Sequence, residues 1–357
     1  MKIIQHRKIY FAFSGLLVAA SIVLFATVGL RYGIDFTGGS LMEITMHDQI
    51  ESTPAEIEDI LTGEDGFLES IQIQHTGEHG YILRFKEVSE DEHQGILKAL
   101  RVAFVDKLPA DTTIDQAFAE GEVDTSGIVA TDADGNPVSV NVETPHDAVA
   151  DSGEATIGGQ ELIAEDRFES IGPVIGQELR EKSIEALIAV LIGIILYIAW
   201  AFRKVSDPVS SWKYGVTAII ALAHDVIIPV GVFVVLGMVT GVEVDILFVT
   251  ALLTILGFSV NDTIVVFDRT RENLAKSHHQ GEFESIVNKS VNQTITRSIY
   301  TSLSTFMVLF AVFLFGGESI KYFVLALMIG IIVGTYSSIF LASPILVEWE
   351  HASRRKS

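Results

Sequence analysis

Six stretches of the chain run for about 20 residues with almost no charge: 9–30, 183–202, 214–237, 246–267, 298–317 and 322–347. A helix rises about 1.5 Å per residue, so some 20 apolar residues cross a hydrocarbon core of roughly 30 Å. Each stretch therefore reads as a membrane-spanning helix. The first follows Lys2, Arg7 and Lys8, exceeds the usual apolar core of a secretory leader and has no small-residue cleavage site behind it; it reads as an uncleaved anchor. Only short connections separate the last five.

Between the first two spans the pattern changes. Residues 41–46 alternate as a strand does, and Thr53, Pro54 and Glu56 supply an N-cap, a proline at the first helical position and a capping-box acid for a helix reaching about residue 61. Ile71 and Ile73, then Tyr81, Leu83 and Phe85, alternate on either side of a turn at 77–80, which predicts a hairpin. Ser89 and Glu92 form a second capping box, after which Ile96, Leu100 and Phe104 recur every four residues. With a last strand near 168–175, the order βαββαβ makes a ferredoxin-like α+β unit. Residues 109–163 interrupt it. They are acidic, carry a turn signal at 134–137 and lack sustained apolar periodicity, so they read as a mobile insertion dispensable for folding. The string of Asp132 to Gly135 starts like a calcium loop but lacks that loop's central glycine and final glutamate, and reads as a turn.

Charge sharpens this division. The chain carries a net charge of -22, and residues 31–182 hold 33 of its 46 acidic but 9 of its 24 basic residues. The acidic block excludes a nucleic-acid-binding surface, which needs clustered Lys and Arg. Basic residues gather in the connections that lie inside if the N-terminus is inside: Lys2, Arg7 and Lys8; Arg203, Lys204 and Lys213; Arg269, Arg271, Lys276, Lys289 and Arg297; Arg354, Arg355 and Lys356. Short cytoplasmic loops retain such an excess, so both termini are expected in the cytoplasm and residues 31–182 outside. The expected layout is 1–30, cytoplasmic N-terminus and first span; 31–182, external domain; 183–347, five spans; 348–357, cytoplasmic tail. The absence of cysteine excludes disulfides and Cys-ligated metals.

Catalytic signatures are missing: there is no Walker A string, dinucleotide fingerprint, HExxH helix or GxSxG elbow. The chain reads as a non-enzyme without cofactor or metal, and any work it does needs an energy source other than ATP. What remains is ionisable groups within the spans, where a charge costs roughly 2.5 to 3.5 kcal/mol and is functional by default. Asp225, beside His224, lies about 16 Å from the cytoplasmic end of the third apolar run; Asp262, between Asn261 and Thr263, lies about 7 Å from that end of the fourth. Arg297 opens the fifth run from the same side, and Thr294, Arg297, Thr301 and Ser304 share one helical stripe. Asp262 and Arg297 are thus expected to meet as a pair whose opening and closing makes the aspartate a switchable ion site. Glycines 231, 237, 257, 330 and 334 are read as permitting close helix packing.

One span, a large external domain and five clustered spans form half the layout of resistance-nodulation-division transporters. Within that superfamily, GIDFTGGS at 33–40, SIGPVIGQELREKS at 170–183, HD at 224–225, GFSVNDTIVVFDRTREN at 257–273 and SVNQTITRSIYTSLST at 290–305 resemble the SecF branch of the SecD/SecF protein-export family. The resemblance implies a cytoplasmic-membrane subunit that works with SecD, uses the proton motive force and assists preproteins through SecYEG, with YajC and YidC as further companions. It also implies that the residues matching Asp262 and Arg297 take part in ion conduction together with an aspartate on SecD. The residues themselves add Asp225 to that pair, with Asn261, Thr263, Thr301 and His224 as supporting polar groups. Two other readings compete: an exporter of small molecules or lipids from the same superfamily, which would carry a tandem second half, and a passive scaffold.

Overall fold

The computed structural model describes residues 2–63, 66–77, 79–105, 108, 115–116, 155–157, 160–201, 211–277 and 282–354. They divide into two compact units, residues 37–177 and the remainder.

In the first unit, β1 (Gly39–Met46), β2 (Ile71–Thr76), β3 (Gly80–Phe85) and β7 (Ile163–Ile171) form an antiparallel sheet in the order β2-β3-β1-β7, the ferredoxin-like arrangement. The short strands β4 (Asp115–Gln116), β5 (Ala155–Ile157) and β6 (Gln160–Glu161) pair separately. The period-2 pattern of β1 puts Met42, Ile44 and Met46 into the core, where they meet Ile57 and Leu61 of α3 (Pro54–Thr62) and Ile96, Leu100 and Phe104 of α4 (Glu90–Val105). Both capping boxes form. Thr53 Oγ1 accepts from Glu56 N and Glu56 Oε2 from Thr53 N. Glu92 Oε2 accepts from Ser89 N and Oγ at 2.7 and 2.8 Å, bonds that hold its carboxyl below the usual carboxylate range.

The sequence pattern set the last strand too late. It spans Ile163–Ile171 and stops because Gly172 and Pro173 open a helix, with proline at a first-turn position where its missing N–H costs nothing. A register shift at Glu43/Ile44 accommodates it beside β1. Most of 109–163, including the Asp132–Gly135 string, lies outside the described residues.

The second unit contains α1 (Arg7–Thr27), most of α5 (Pro173–Ala201), α6 (Ser211–Thr240), α7 (Ile246–Lys276), α8 (Phe283–Phe315) and a last span built from α9 (Glu318–Ser337), a π-helical turn (Ser338–Ala342) and α10 (Ser343–Arg354). A short helix, α2 (Ile34–Thr37), follows α1. The six long apolar helices coincide with the six expected spans and overrun them at several ends. About half of the apolar part of α6, α7 and the last span is buried, whereas α1, α5 and α8 remain mostly exposed. Residues 31–36 belong with the helices, because Gly33 N donates to Val244 O, Val244 N to Arg31 O, and Asp35 Oδ2 caps Ile246 N at the start of α7.

The end of the bundle that holds both termini is cross-tied by charge. Arg7 donates to Glu348 at 2.5 Å and Glu284 at 3.3 Å, while buried Lys213 donates to buried Glu350 at 2.9 Å and to Ser353. Close helix approach is real at Gly330, where an added Cβ would fall 2.2 Å from Ile255 of α7, and absent at Gly257, where it would meet nothing within 4 Å. Gly330→Ala is therefore expected to lower stability by about 1–3 kcal/mol through overpacking, and Gly257→Ala to leave it unchanged or raised. Thermal unfolding of the two detergent-solubilised variants checks both signs.

Candidate functional site

Two aspartates lie inside the helical unit, each held by serine hydroxyls, with a histidine beside one of them. Asp225 of α6 is fully buried. Its Oδ1 lies 2.8 Å from His224 Nδ1, and its Oδ2 accepts from Ser337 Oγ of α9 at 2.6 Å and from Ser259 Oγ of α7. An ionised carboxylate has only acceptor sites, so three donors from three helices suit it. Pro229 follows four residues later inside α6 and has no N–H, which leaves the Asp225 carbonyl without its usual helical donor.

Asp262 of α7 is half-buried. Its Oδ1 accepts from Ser298 Oγ of α8 and its Oδ2 from Ser338 Oγ of the π-turn, both at 2.5 Å. Ser259 and Asp262 are three residues apart on α7, about 4.5 Å along its axis, so the groups that meet the two carboxylates lie within about one helical turn of each other. The expected depths of 16 and 7 Å were measured from the ends of apolar runs. That ruler fails because α7 continues as a helix to Lys276, beyond the end of its run.

The expected Asp262–Arg297 pair is not formed. The α8 residue facing Asp262 is Ser298, and helical neighbours point about 100° apart, so Arg297 is turned out and exposed. It lines a polar groove of about 420 Å³ with Asp268, Arg269, Glu272, Gln293 and Thr294. The expected stripe is displaced for the same reason. The buried polar face of α8 runs Ser290, Thr294, Ser298 and Ser302 at intervals of four, whereas Thr301 and Ser304 are exposed and bond back to their own helix. Of the other expected supporting groups, Asn261 is exposed. Thr263 is buried, and its Oγ1 has no hydrogen-bond partner among the described residues. His224 is buried against Tyr336, with ring centroids 6.1 Å apart.

Sequence reasoning thus located both carboxylates and missed the four serines that hold them. The available signal was weak: Ser259 lies within the GFSVND string, Ser298 within TITRS, and Ser337 and Ser338 are a lone SerSer pair in an apolar run. Among the described residues no Lys or Arg forms an ion pair with either aspartate. The arrangement can hold each carboxylate ionised, accepting from hydroxyls, or protonated, donating to one of them.

A ferredoxin-like sheet domain and six apolar helices, with carboxylates inside the helical unit, define a membrane protein of the resistance-nodulation-division-like fold. The pattern for "Protein export membrane protein SecD/SecF, C-terminal" matches residues 155–352, and the "SecD/SecF GG Motif" matches residues 23–50. The protein translocase subunit SecF of Thermobaculum terrenum is 39% identical over 98% of this chain and 94% of its own. That of Anaerolinea thermophila is 32% identical over 99% and 96%. The crystal structure of SecDF, a translocon-associated membrane protein from Thermus thermophilus, superposes with a TM-score of 0.69 at 28% identity over 98% of this chain. This chain spans 39% of that SecDF chain. The chain belongs to the SecF branch of the SecD/SecF family of protein-export membrane proteins.

Removing one hydroxyl from the buried carboxylate tests how the site is held. Ser259→Ala is expected to cost about 1–3 kcal/mol, because it leaves a buried carboxyl oxygen short of a hydrogen-bond partner, and exposed Ser304→Ala less than about 0.5 kcal/mol. Parallel thermal unfolding in detergent measures the difference.

Proposed function

We propose that this chain works in the cytoplasmic membrane, with both termini in the cytoplasm, as the SecF partner of SecD. It uses the proton motive force to assist preprotein translocation through SecYEG and catalyses no covalent reaction. YajC and YidC are further companions by family resemblance. The observation that carries the reading is the pair of carboxylates inside the helical unit, held by hydroxyl and imidazole groups. A carboxylate locked to Arg or Lys loses an ion pair when it binds a proton. One held by rotatable hydroxyls can bind and release a proton with its neighbours merely reversing donor and acceptor roles.

Exposed Arg297 adds to this reading. Its guanidinium lines an open polar groove with Asp268 and Glu272, and a partner subunit with its own membrane carboxylate could reach it there. The site is then completed between two chains, as transporter sites at repeat interfaces are.

The test is preprotein export into vesicles containing the SecD complex and SecYEG, with and without an imposed proton gradient. Asp262→Asn and Asp225→Asn are each expected to assemble normally and to reduce gradient-stimulated export to its gradient-independent level. Full stimulation in both assembled variants would favour a passive scaffold instead. Arg297→Lys is expected to retain part of the stimulation and Arg297→Ala none, since lysine keeps the charge without the planar fork of donors.

A further inference from the structure

The two carboxylates are joined by one short piece of backbone. Ser337 Oγ donates to Asp225 Oδ2 at 2.6 Å, and the next residue, Ser338, donates to Asp262 Oδ2 at 2.5 Å. Asp225 is approached from α6 and α7, and Asp262 from α7 and α8, so the last span meets two acids within about one helical turn of each other.

Each serine has a second acceptor in reach. Ser337 Oγ lies 3.1 Å from Gly334 O, and Ser338 Oγ lies 3.0 Å from Thr335 O. A hydroxyl carries one proton and cannot donate fully to both. When its aspartate is ionised, the hydroxyl donates to the carboxylate. When the aspartate is protonated, the acid donates to the serine oxygen and the serine hydroxyl turns to the carbonyl of its own helix. The backbone where this exchange occurs is unusual, because α9 ends at Ser337 and the π-turn starts at Ser338. A π-turn holds one residue more than an α-turn and is often found at functional sites. It can redistribute its carbonyl bonds without breaking the span.

We infer that Ser337, Ser338 and the π-turn couple Asp225 and Asp262 into one titrating unit, in which the protonation state of either acid changes the proton affinity of the other. The inference rests on the proposed function only for its use in export; the coupling itself is a property of this chain. Both serines are positioning residues. Around Asp225 the facing groups are His224, Ser259 and Ser337; around Asp262 they are Ser298 and Ser338. Arg297 is the nearest basic residue in sequence to Ser298 and is turned outward.

The test is infrared difference spectroscopy of the full chain with SecD, reading the carboxylic C=O bands across pH and assigning them with Asp225→Asn and Asp262→Asn. Coupling predicts that Asp225→Asn moves the Asp262 midpoint by about one pH unit, a tenfold change in proton affinity, and that Asp262→Asn moves Asp225 likewise. In Ser337→Ala/Ser338→Ala both acids still titrate, but the mutual shift falls below about 0.3 pH units. Ser337→Thr/Ser338→Thr keeps the hydroxyls and restores the shift. If Asp225→Asn leaves the Asp262 midpoint in place, or if the double alanine variant keeps the full mutual shift, the inference is overturned. Should the shift occur while both Asn variants export with full gradient stimulation, the coupling stands and the export role fails; the converse result separates them the other way.

Discussion

Burial of the Asp225 carboxylate is the constraint around which the helical unit is arranged. A carboxyl group in a low-dielectric interior is costly in either protonation state unless hydrogen-bond partners replace its water. Here the donors come from α6, α7 and α9, so those helices must approach one another at that level and in that rotation. The small residues beside the contacts fit this demand. A Cβ on Gly334 would lie 3.1 Å from Ser259 Cβ, and Gly330, one turn away on α9, admits Ile255 of α7. The apolar clusters around α6, α7 and the last span then close over a polar centre.

The same logic orders the ends of the helices. Where both termini lie, Arg7, Lys213, Glu284, Glu348 and Glu350 tie α1, α6, α8 and α10 together. At the other end, Asp35 and Asp245 occupy the exposed N–H groups at the start of α7, the usual requirement of a helix N-terminus. The segment around GIDFTGG is consequently part of the helical unit's own hydrogen bonding as well as the lead into β1. Gly38, with φ +73°, leaves no room for a side chain, since a Cβ there would fall 2.6 Å from Pro173 Cα.

Much of this was legible in the residues because it depends on local periodicity. Apolar runs long enough to cross a bilayer, two capping boxes and the alternating strands of the sheet each follow from backbone needs satisfied within a few residues. Asp225 and Asp262 stood out because charge in such runs is rare. Arg297 stood out for the same reason, and its partner was misjudged: similar depth says nothing about rotation, and one residue of helix, Ser298 in place of Arg297, decides which side chain meets the acid.

The chain by itself determined where its six spans and the main elements of its sheet domain lie and which of its spans carry acids, since hydrophobic period, caps and charge are written residue by residue. Tertiary structure alone decided who holds those acids. Serine is small, uncharged and common on the buried faces of helices, so nothing in its local context separates Ser259, Ser298, Ser337 and Ser338 from the rest. They become donors only when packing of α6 to α9 brings them within 3 Å of a carboxylate, and that rotation of one helix against another is a property of the assembled bundle.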